Sequence, residues 1–206
     1  PDLAVLTTIR PNHLDWHLDL DHYVRSKAAI VGGDGRAPLV TAFEAEDPDA
    51  AREAAKVGGP WWRDPADRFA PTLAEIDPDA IDLAIPGEHQ RRNARLALAA
   101  ILAIHAIDGR AAPGQARLLE SLADFRGLPH RLADVGERSK TAIRYIDDSK
   151  STTPEATCLA VDSLGDRSRV HLIAGGHDKG ADLDSIAALT PSLAGLYAIG
   201  TTATRL

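Results

Sequence analysis

Short apolar runs alternate along this chain with stretches whose apolar positions recur at helical spacing. "LAVLTTI" (3–9) is apolar and β-branched and predicts a buried strand. Over 19–31, Leu20, Tyr23, Val24, Lys27 and Ala28 fall near one helical face. "PLVTAF" (38–43) predicts a short strand. "DPDAAREAAKV" (47–57) predicts a helix, acidic in its first turn and stopped by Gly58-Gly59. "GPWWRDPADRFAP" (59–71) is Pro-rich and irregular, "AIDLAI" (80–85) a strand, and "NARLALAAILAIHAI" (93–107) an apolar helix closed by Asp108-Gly109.

The pattern then restarts. Residues 112–125 predict a helix, 127–131 a loop, and 131–137 with 141–147 a hairpin-type pair. A helix follows over 153–164 with Pro154 just inside its start. Residues 170–176 read as a buried strand ending in glycines, 182–189 as a helix and 195–200 as a strand. Alternating strands and helices predict an α/β fold with parallel strands. The boundary falls near Asp108–Pro113, giving expected units of 1–109 and 110–206. The chain starts on one strand pattern and stops just after another, so a piece of a longer protein is expected.

Composition narrows the function. The 206 residues are 44% hydrophobic and 26% charged, within the globular range. A net charge of -7 gives no broad positive field for a phosphate backbone, so a nucleic-acid partner is not expected. The single Cys158 excludes an internal disulfide and a multi-cysteine zinc site, and a cytoplasmic home is the simplest expectation. No apolar run reaches the ~18 residues of a membrane span.

Candidate chemistry gathers in loops that follow predicted strands, where α/β sheets hold ligands. "DDSKSTTPE" (147–155) offers two carboxylates, Lys150, hydroxyls and a helix start, a set suited to an anion. A well-formed helix cap on Thr152 or Thr153 accounts for much of the same pattern. "GGHDKGAD" (175–182) offers glycines for close approach and Lys179 for a carboxylate or phosphate. A polar turn with a solvated lysine explains it about as well. In "GLPHRL", Arg131 suits a phosphate or a base, although most surface arginines are simply solvated. His89, Gln90 and Asn93 stand at a long helix's start and have groups suited to an adenine edge. His13 and His17 have the i, i+4 spacing of two zinc ligands, but Leu14 stands where a zinc hydrolase has its glutamate. No glycine-rich phosphate loop ending in Lys-Ser or Lys-Thr occurs.

Six segments now fall into one order: "LTTIRPNHLDWH" with the nearby "RSK", "GEHQRRNARLALAA", "FRGLPHRLADVG", "YIDDSKSTTPEAT" and "LIAGGHDKGADL". In that order the chain resembles the Mur ligases, and the "GLPHR" loop followed by "DDSK" points to the glutamate-adding type. The likeness runs from the first residue to about Asp184. It implies the second half of a central ATPase domain over 1–109 and most of a Rossmann-like, glutamate-binding domain over 110–206. The N-terminal UDP-binding domain and the phosphate loop would lie outside this sequence. The implied reaction is ATP-dependent amide formation joining glutamate to UDP-N-acetylmuramoyl-L-alanine, performed by a monomer in the bacterial cytoplasm. This stretch alone is expected to be inactive.

The resemblance also implies roles. His13 and a carbamylated Lys27 match the family's metal-binding and catalytic positions, with Mg²⁺ as the metal and Mn²⁺ its alternative. A carbamate supplies the oxygen that Mg²⁺ prefers where the sequence shows only a cation. His89, Gln90, Asn93, Arg131 and Asp148 match the ATP site. Lys150, Thr152 and Lys179 match the region of glutamate and the reacting carboxylate. The chain departs from the family at Asn12, usually Asp, at Gln90, usually Asn, and at His177-Asp178, usually a more glycine-rich turn. The insert bearing Trp61-Trp62 matches no family motif. A folylpolyglutamate-type synthetase, a non-catalytic nucleotide-binding module and a zinc hydrolase are the competing readings; "GLPHR" counts against the first.

Overall fold

The computed structural model describes residues 2–7, 9, 16–31, 39–41, 76–77, 80–138, 143–178 and 180–206. The expected helix over 47–57, the insert with Trp61-Trp62, and His13 and Lys179 lie outside these residues. The chain divides into two compact units, Pro1–Asp82 with Arg91–Asp124, and Leu83–Gln90 with Phe125–Leu206.

In the first unit, β1 (Ala4–Leu6) pairs in parallel with β2 (Leu39–Thr41), Ala4 opposite Leu39. β1 is shorter than its apolar run, although Ile9 beyond it is still buried. Helix α1 (Leu20–Ala28) begins at Asp19, whose carboxylate accepts from the His22 N–H at 2.7 Å, and continues as a 3₁₀ turn over Ala29–Val31. Satisfying that otherwise unpaired donor is what an N-cap does. Tyr23, Val24 and Ala28 form its buried face, as the spacing predicts.

Helix α2 (Glu88–Ile107) starts at Glu88 rather than at 93. Its first residues are polar and carry no apolar rhythm, so the pattern shows the helix only from Ala94 onward. From there Ala94, Leu98 and Leu102 lie i, i+4 apart and are buried, with Leu96, Ala99 and Ala103 beside them. Gly109 (φ 64) ends the helix: its N–H reaches the Ala106 carbonyl at 3.2 Å and Arg110 N–H reaches that of His105 at 2.9 Å. This is the Schellman arrangement, in which a left-handed residue satisfies the last carbonyls. Helix α3 (Gln115–Ala123) follows and buries Leu118.

The strand expected over 80–85 is not formed. Ala80 is in a 3₁₀ turn and 81–87 run without strand or helix. Ile81 is nevertheless 2% exposed. The apolar run anchors a connection, and among the described residues no strand pairs with it; burial alone does not make a ladder.

In the second unit, β3 (Ala133–Arg138) and β4 (Ile143–Asp147) form the expected antiparallel pair, Ala133 opposite Asp147, with a shift between Asp134 and Gly136. Asp134 holds that bulge: it accepts from Gly136 N–H at 2.9 Å and from two Arg144 nitrogens at 3.1 and 2.9 Å. Helix α4 (Pro154–Ser163) has Pro154 as its first residue and Thr153 as its cap. Strand β5 (His171–Gly176), helix α5 (Asp184–Leu189) and strand β6 (Gly195–Gly200) then make a βαβ unit, with Ile173 opposite Tyr197. The mixed helices and strands are α/β, as expected.

β5 is not the fully buried strand its apolar run predicts. Leu172, Ala174 and Gly176 are half-buried, while His171, Ile173 and Gly175 are exposed. That alternation belongs to a sheet covered on one face, and a continuous apolar run cannot distinguish it from a strand covered on both.

Candidate active site

The two loops "GLPHRL" and "DDSKSTT" are 16–17 residues apart in sequence and are bonded together in the second unit. His130 Nδ1 meets Asp147 Oδ2 at 2.7 Å, Leu132 N–H donates to Asp148 Oδ1 at 2.9 Å, and Lys150 N–H donates to the His130 carbonyl at 3.1 Å. Adjacent carboxylates thus serve separate ends of the same loop. Ser151 closes the turn, its hydroxyl donating to Asp148 Oδ2 and its N–H to the Asp148 carbonyl at 2.8 Å.

This junction holds an unfavourable backbone. His130 (φ 65) and Leu132 (φ 47) are both left-handed, and each costs an L-residue ~1–2 kcal/mol. Leu132 is only 5% exposed, and burying a leucine gains ~1.5–3 kcal/mol. A hydrogen bond to a charged group adds about 1.5–3 kcal/mol. Burial and the Asp148 bond therefore outweigh the backbone cost at Leu132. The result presents Arg131, flanked by two left-handed residues, as an exposed side chain.

Asp147 is held strongly ionised. The Ser149 N–H, then His130, then the Ser149 side chain bring its carboxyl down from 3.8 to about 2. Asp148, proposed by resemblance for a nucleotide, has both oxygens engaged within the loops. A carboxylate oxygen has two acceptor positions, so each retains one for a sugar hydroxyl.

Thr153 caps α4, accepting from the Ala156 N–H at 3.3 Å, which resolves the choice between Thr152 and Thr153. Thr152 is exposed beside it, as is Lys150. The helix start, Lys150, Thr152 and Arg131 are thus brought into one bonded cluster of loops, a local arrangement that favours an anion.

β5 ends in the other loop of this unit. A Cβ built on Gly175 (φ 126) would overlap the Ile199 carbonyl oxygen, with the Ile199 carbon at 3.0 Å and nitrogen at 3.1 Å. Close approach at Gly175 is therefore to strand β6. At Gly176 (φ 139) an added Cβ would meet nothing within 4 Å. The sequence reading assigned both glycines to a ligand; only Gly176 faces open space. Beyond it, Asp178 is paired with Arg205, a contact sequence reasoning missed. His130 and Asp147 were also passed over in favour of their neighbours Arg131 and Asp148, although the motif strings contained both.

At α2 the polar start divides between units: His89 and Gln90 are half-buried in the second, and Asn93 is exposed in the first. Gln90 N–H donates to the Gly87 carbonyl at 3.0 Å. A Cβ on Gly87 would stand 2.5 Å from Ser163 Oγ, so the helix start packs against the end of α4.

In the first unit, Lys27 is exposed in the last turn of α1, its Nζ 5.5 Å from the centre of the Tyr23 ring. Burial raises the Tyr23 hydroxyl above its ordinary value. His17 precedes the helix, in a bend, and its Nδ1 lies 3.2 Å from His22 Nδ1. Its partner is thus a residue five positions on, across the Asp19 cap. Among the described residues no three His, Cys, Asp or Glu side chains gather as a metal site.

No family model matches this chain. Curated relatives do. A UDP-N-acetylmuramoyl-L-alanine–L-glutamate ligase of Xanthomonas axonopodis pv. citri (strain 306) is 37% identical over 188 residues, covering 88% of this chain and 38% of that protein. A UDP-N-acetylmuramoylalanine–D-glutamate ligase of Rubrobacter xylanophilus (strain DSM 9941) is 32% identical over 204 residues, covering 96% and 43%. An L-glutamate ligase of Xylella fastidiosa (strain 9a5c) is 31% identical over 196 residues, covering 91% and 39%. The chain therefore spans about two fifths of the length of the curated relatives it matches.

Proposed function

This chain belongs by homology with the UDP-N-acetylmuramoyl-L-alanine–glutamate ligases, and from that premise we propose that its full-length protein joins glutamate to UDP-N-acetylmuramoyl-L-alanine at the expense of ATP, in peptidoglycan precursor synthesis. The observation that carries this reading is the 37% identity over 188 residues, a match that covers 88% of this chain. Residues 1–109 would supply the latter half of a central ATPase domain and 110–206 most of a Rossmann-like domain for glutamate.

The chemistry follows from the substrates. A carboxylate is a poor acyl donor until one of its oxygens becomes a good leaving group. Its oxygen attacks the γ-phosphorus of ATP, and ADP leaves. The glutamate amine attacks the acyl phosphate carbon, loses a proton, and phosphate departs. Bringing two anions together requires fixed positive charge. Lys150 and Arg131 are exposed cations of the bonded loop cluster and suit that need. Thr152 and Lys179 complete the proposed region of the reacting carboxylate and glutamate. Asp148 has free acceptor positions for the ribose, and His89, Gln90 and Asn93 would receive the adenine.

For the metal, the family resemblance puts a carbamylated lysine at Lys27, whose exposed Nζ stands 5.5 Å from the centre of the Tyr23 ring. As a carbamate it would hold Mg²⁺ together with His13. The bound metal would offset phosphate charge.

The test is ADP release by the full-length protein given UDP-N-acetylmuramoyl-L-alanine, ATP, Mg²⁺ and each glutamate enantiomer in turn. Glutamate-dependent turnover is expected with one enantiomer, none is expected from residues 1–206 alone, and Lys27→Ala should lower kcat by ~10²-fold or more. Full-length protein without glutamate-dependent turnover would refute the reading.

A further inference from the structure

The loop after β5 is fastened to the segment that follows β6. Thr201 Oγ1 donates to the Gly176 carbonyl at 2.9 Å and accepts from the Asp178 N–H at 3.0 Å. Thr202, buried, accepts from the Gly176 N–H at 3.1 Å. Arg205 then closes the arrangement. Its Nη1 donates to both oxygens of Asp178, at 2.7 Å each, and its Nη2 donates to the Ala181 carbonyl at 2.9 Å. Asp178 Oδ1 also accepts from the Gly180 N–H at 2.8 Å.

One guanidinium therefore grips the chain at Asp178 and at Ala181, on either side of Lys179 and Gly180. This loop leaves the carboxyl end of a parallel strand, where α/β proteins hold ligands. Asp178 is costly in such a place. Asp178 puts a carboxylate next in sequence to the lysine proposed for an anionic substrate. An uncompensated carboxylate there would repel glutamate. Arg205 supplies the compensation and fixes the backbone with the same planar group, which a lysine cannot imitate.

Resting on the ligase reading above, we infer that Arg205 is a positioning residue for the incoming glutamate: it neutralises Asp178 and fixes the backbone on both sides of Lys179. An exposed ion pair of this kind adds little to global stability, so its effect should appear in substrate affinity.

The test is steady-state kinetics of the full-length enzyme carrying Arg205→Ala, Arg205→Lys, Asp178→Ala, and Asp178→Ala with Arg205→Ala. Arg205→Ala should raise the KM for glutamate by ~10-fold, by misplacing the loop and unmasking the carboxylate, with the KM for ATP unchanged. Arg205→Lys should recover part of that loss. The double variant should be better than Arg205→Ala, since no unpaired carboxylate remains. Added salt should narrow the gap between Arg205→Ala and wild type. An active wild type with no change in glutamate KM on Arg205→Ala overturns this inference alone. So does an equal rise in the KM of all three substrates, or a double variant worse than Arg205→Ala. A wild type that releases no ADP on glutamate addition overturns the ligase reading, and this inference with it.

Discussion

Substitution of Gly175 by alanine tests how the β5–β6 pair is built. Two costs fall on this residue. Its φ of 126 lies where L side chains are rarely found, a strain of ~1–3 kcal/mol. The new Cβ would also overlap the Ile199 carbonyl oxygen, which is backbone and cannot rotate away. Relieving the overlap moves β6 off β5 and loses about two ladder hydrogen bonds, at ~1 kcal/mol each. Together these give about 3–5 kcal/mol. Gly176→Ala is the matched control: its φ of 139 imposes similar strain, but its Cβ meets nothing within 4 Å. The difference between the variants is thus ~2 kcal/mol, or ~30-fold in an opening equilibrium. Amide hydrogen exchange of the full-length protein reads this directly, because protection at 172–175 and 196–199 reports local opening. Gly175→Ala should exchange there about 150- to 5,000-fold faster than wild type, and Gly176→Ala ~30-fold more slowly than Gly175→Ala. Equal protection in the two variants would refute the overlap argument.

Two further outcomes follow from the loop cluster. Thr153→Ala removes the cap of α4 and should cost ~1 kcal/mol, seen as about fivefold faster exchange in that helix, while Thr153→Ser should leave it nearly unchanged. The Asp147 carboxyl, lowered from 3.8 to about 2, binds its proton less readily when folded. Its contribution to stability is therefore complete above 3.8 and is lost as pH falls through about 2. NMR titration of the Asp147 carboxyl should show a midpoint near 2, moving up toward 3.8 in His130→Ala.

What the sequence reveals depends on whether the cause is local. The helix start at Pro154, the stop at Gly109 and the hairpin 133–147 are visible because each is decided by a few neighbouring residues, while the choice of Thr153 over Thr152 as cap needs the geometry. At α2 the apolar period begins only at Ala94, so the polar entrance at His89 and Gln90 is legible from composition alone, without the period that fixes its first residue. The run at 80–85 has the composition of a strand but no partner strand among the described residues, and pairing is a tertiary fact. β5 has the apolar run of a doubly covered strand yet leaves Ile173 exposed at 67%, because coverage depends on which elements pack over it. The motif segments identify the loops of the candidate site, but assigning work within them needs geometry. Of two neighbouring aspartates, one holds a histidine and the other a backbone amide. The Asp178–Arg205 contact spans 27 residues; its trace in the sequence is a carboxylate where the family turn is richer in glycine.

The three bonds between "GLPHRL" and "DDSKSTT" also limit how the second unit can respond to ligand. His130 is tied by its side chain to Asp147 and by its carbonyl to Lys150, while Leu132 is tied to Asp148. Arg131 lies between these rivets. Displacing either loop therefore carries Arg131 and Lys150 together, as one plate. The spacing of their backbones is set when the chain folds, and only the exposed side chains of Arg131 and Lys150 are left free to move.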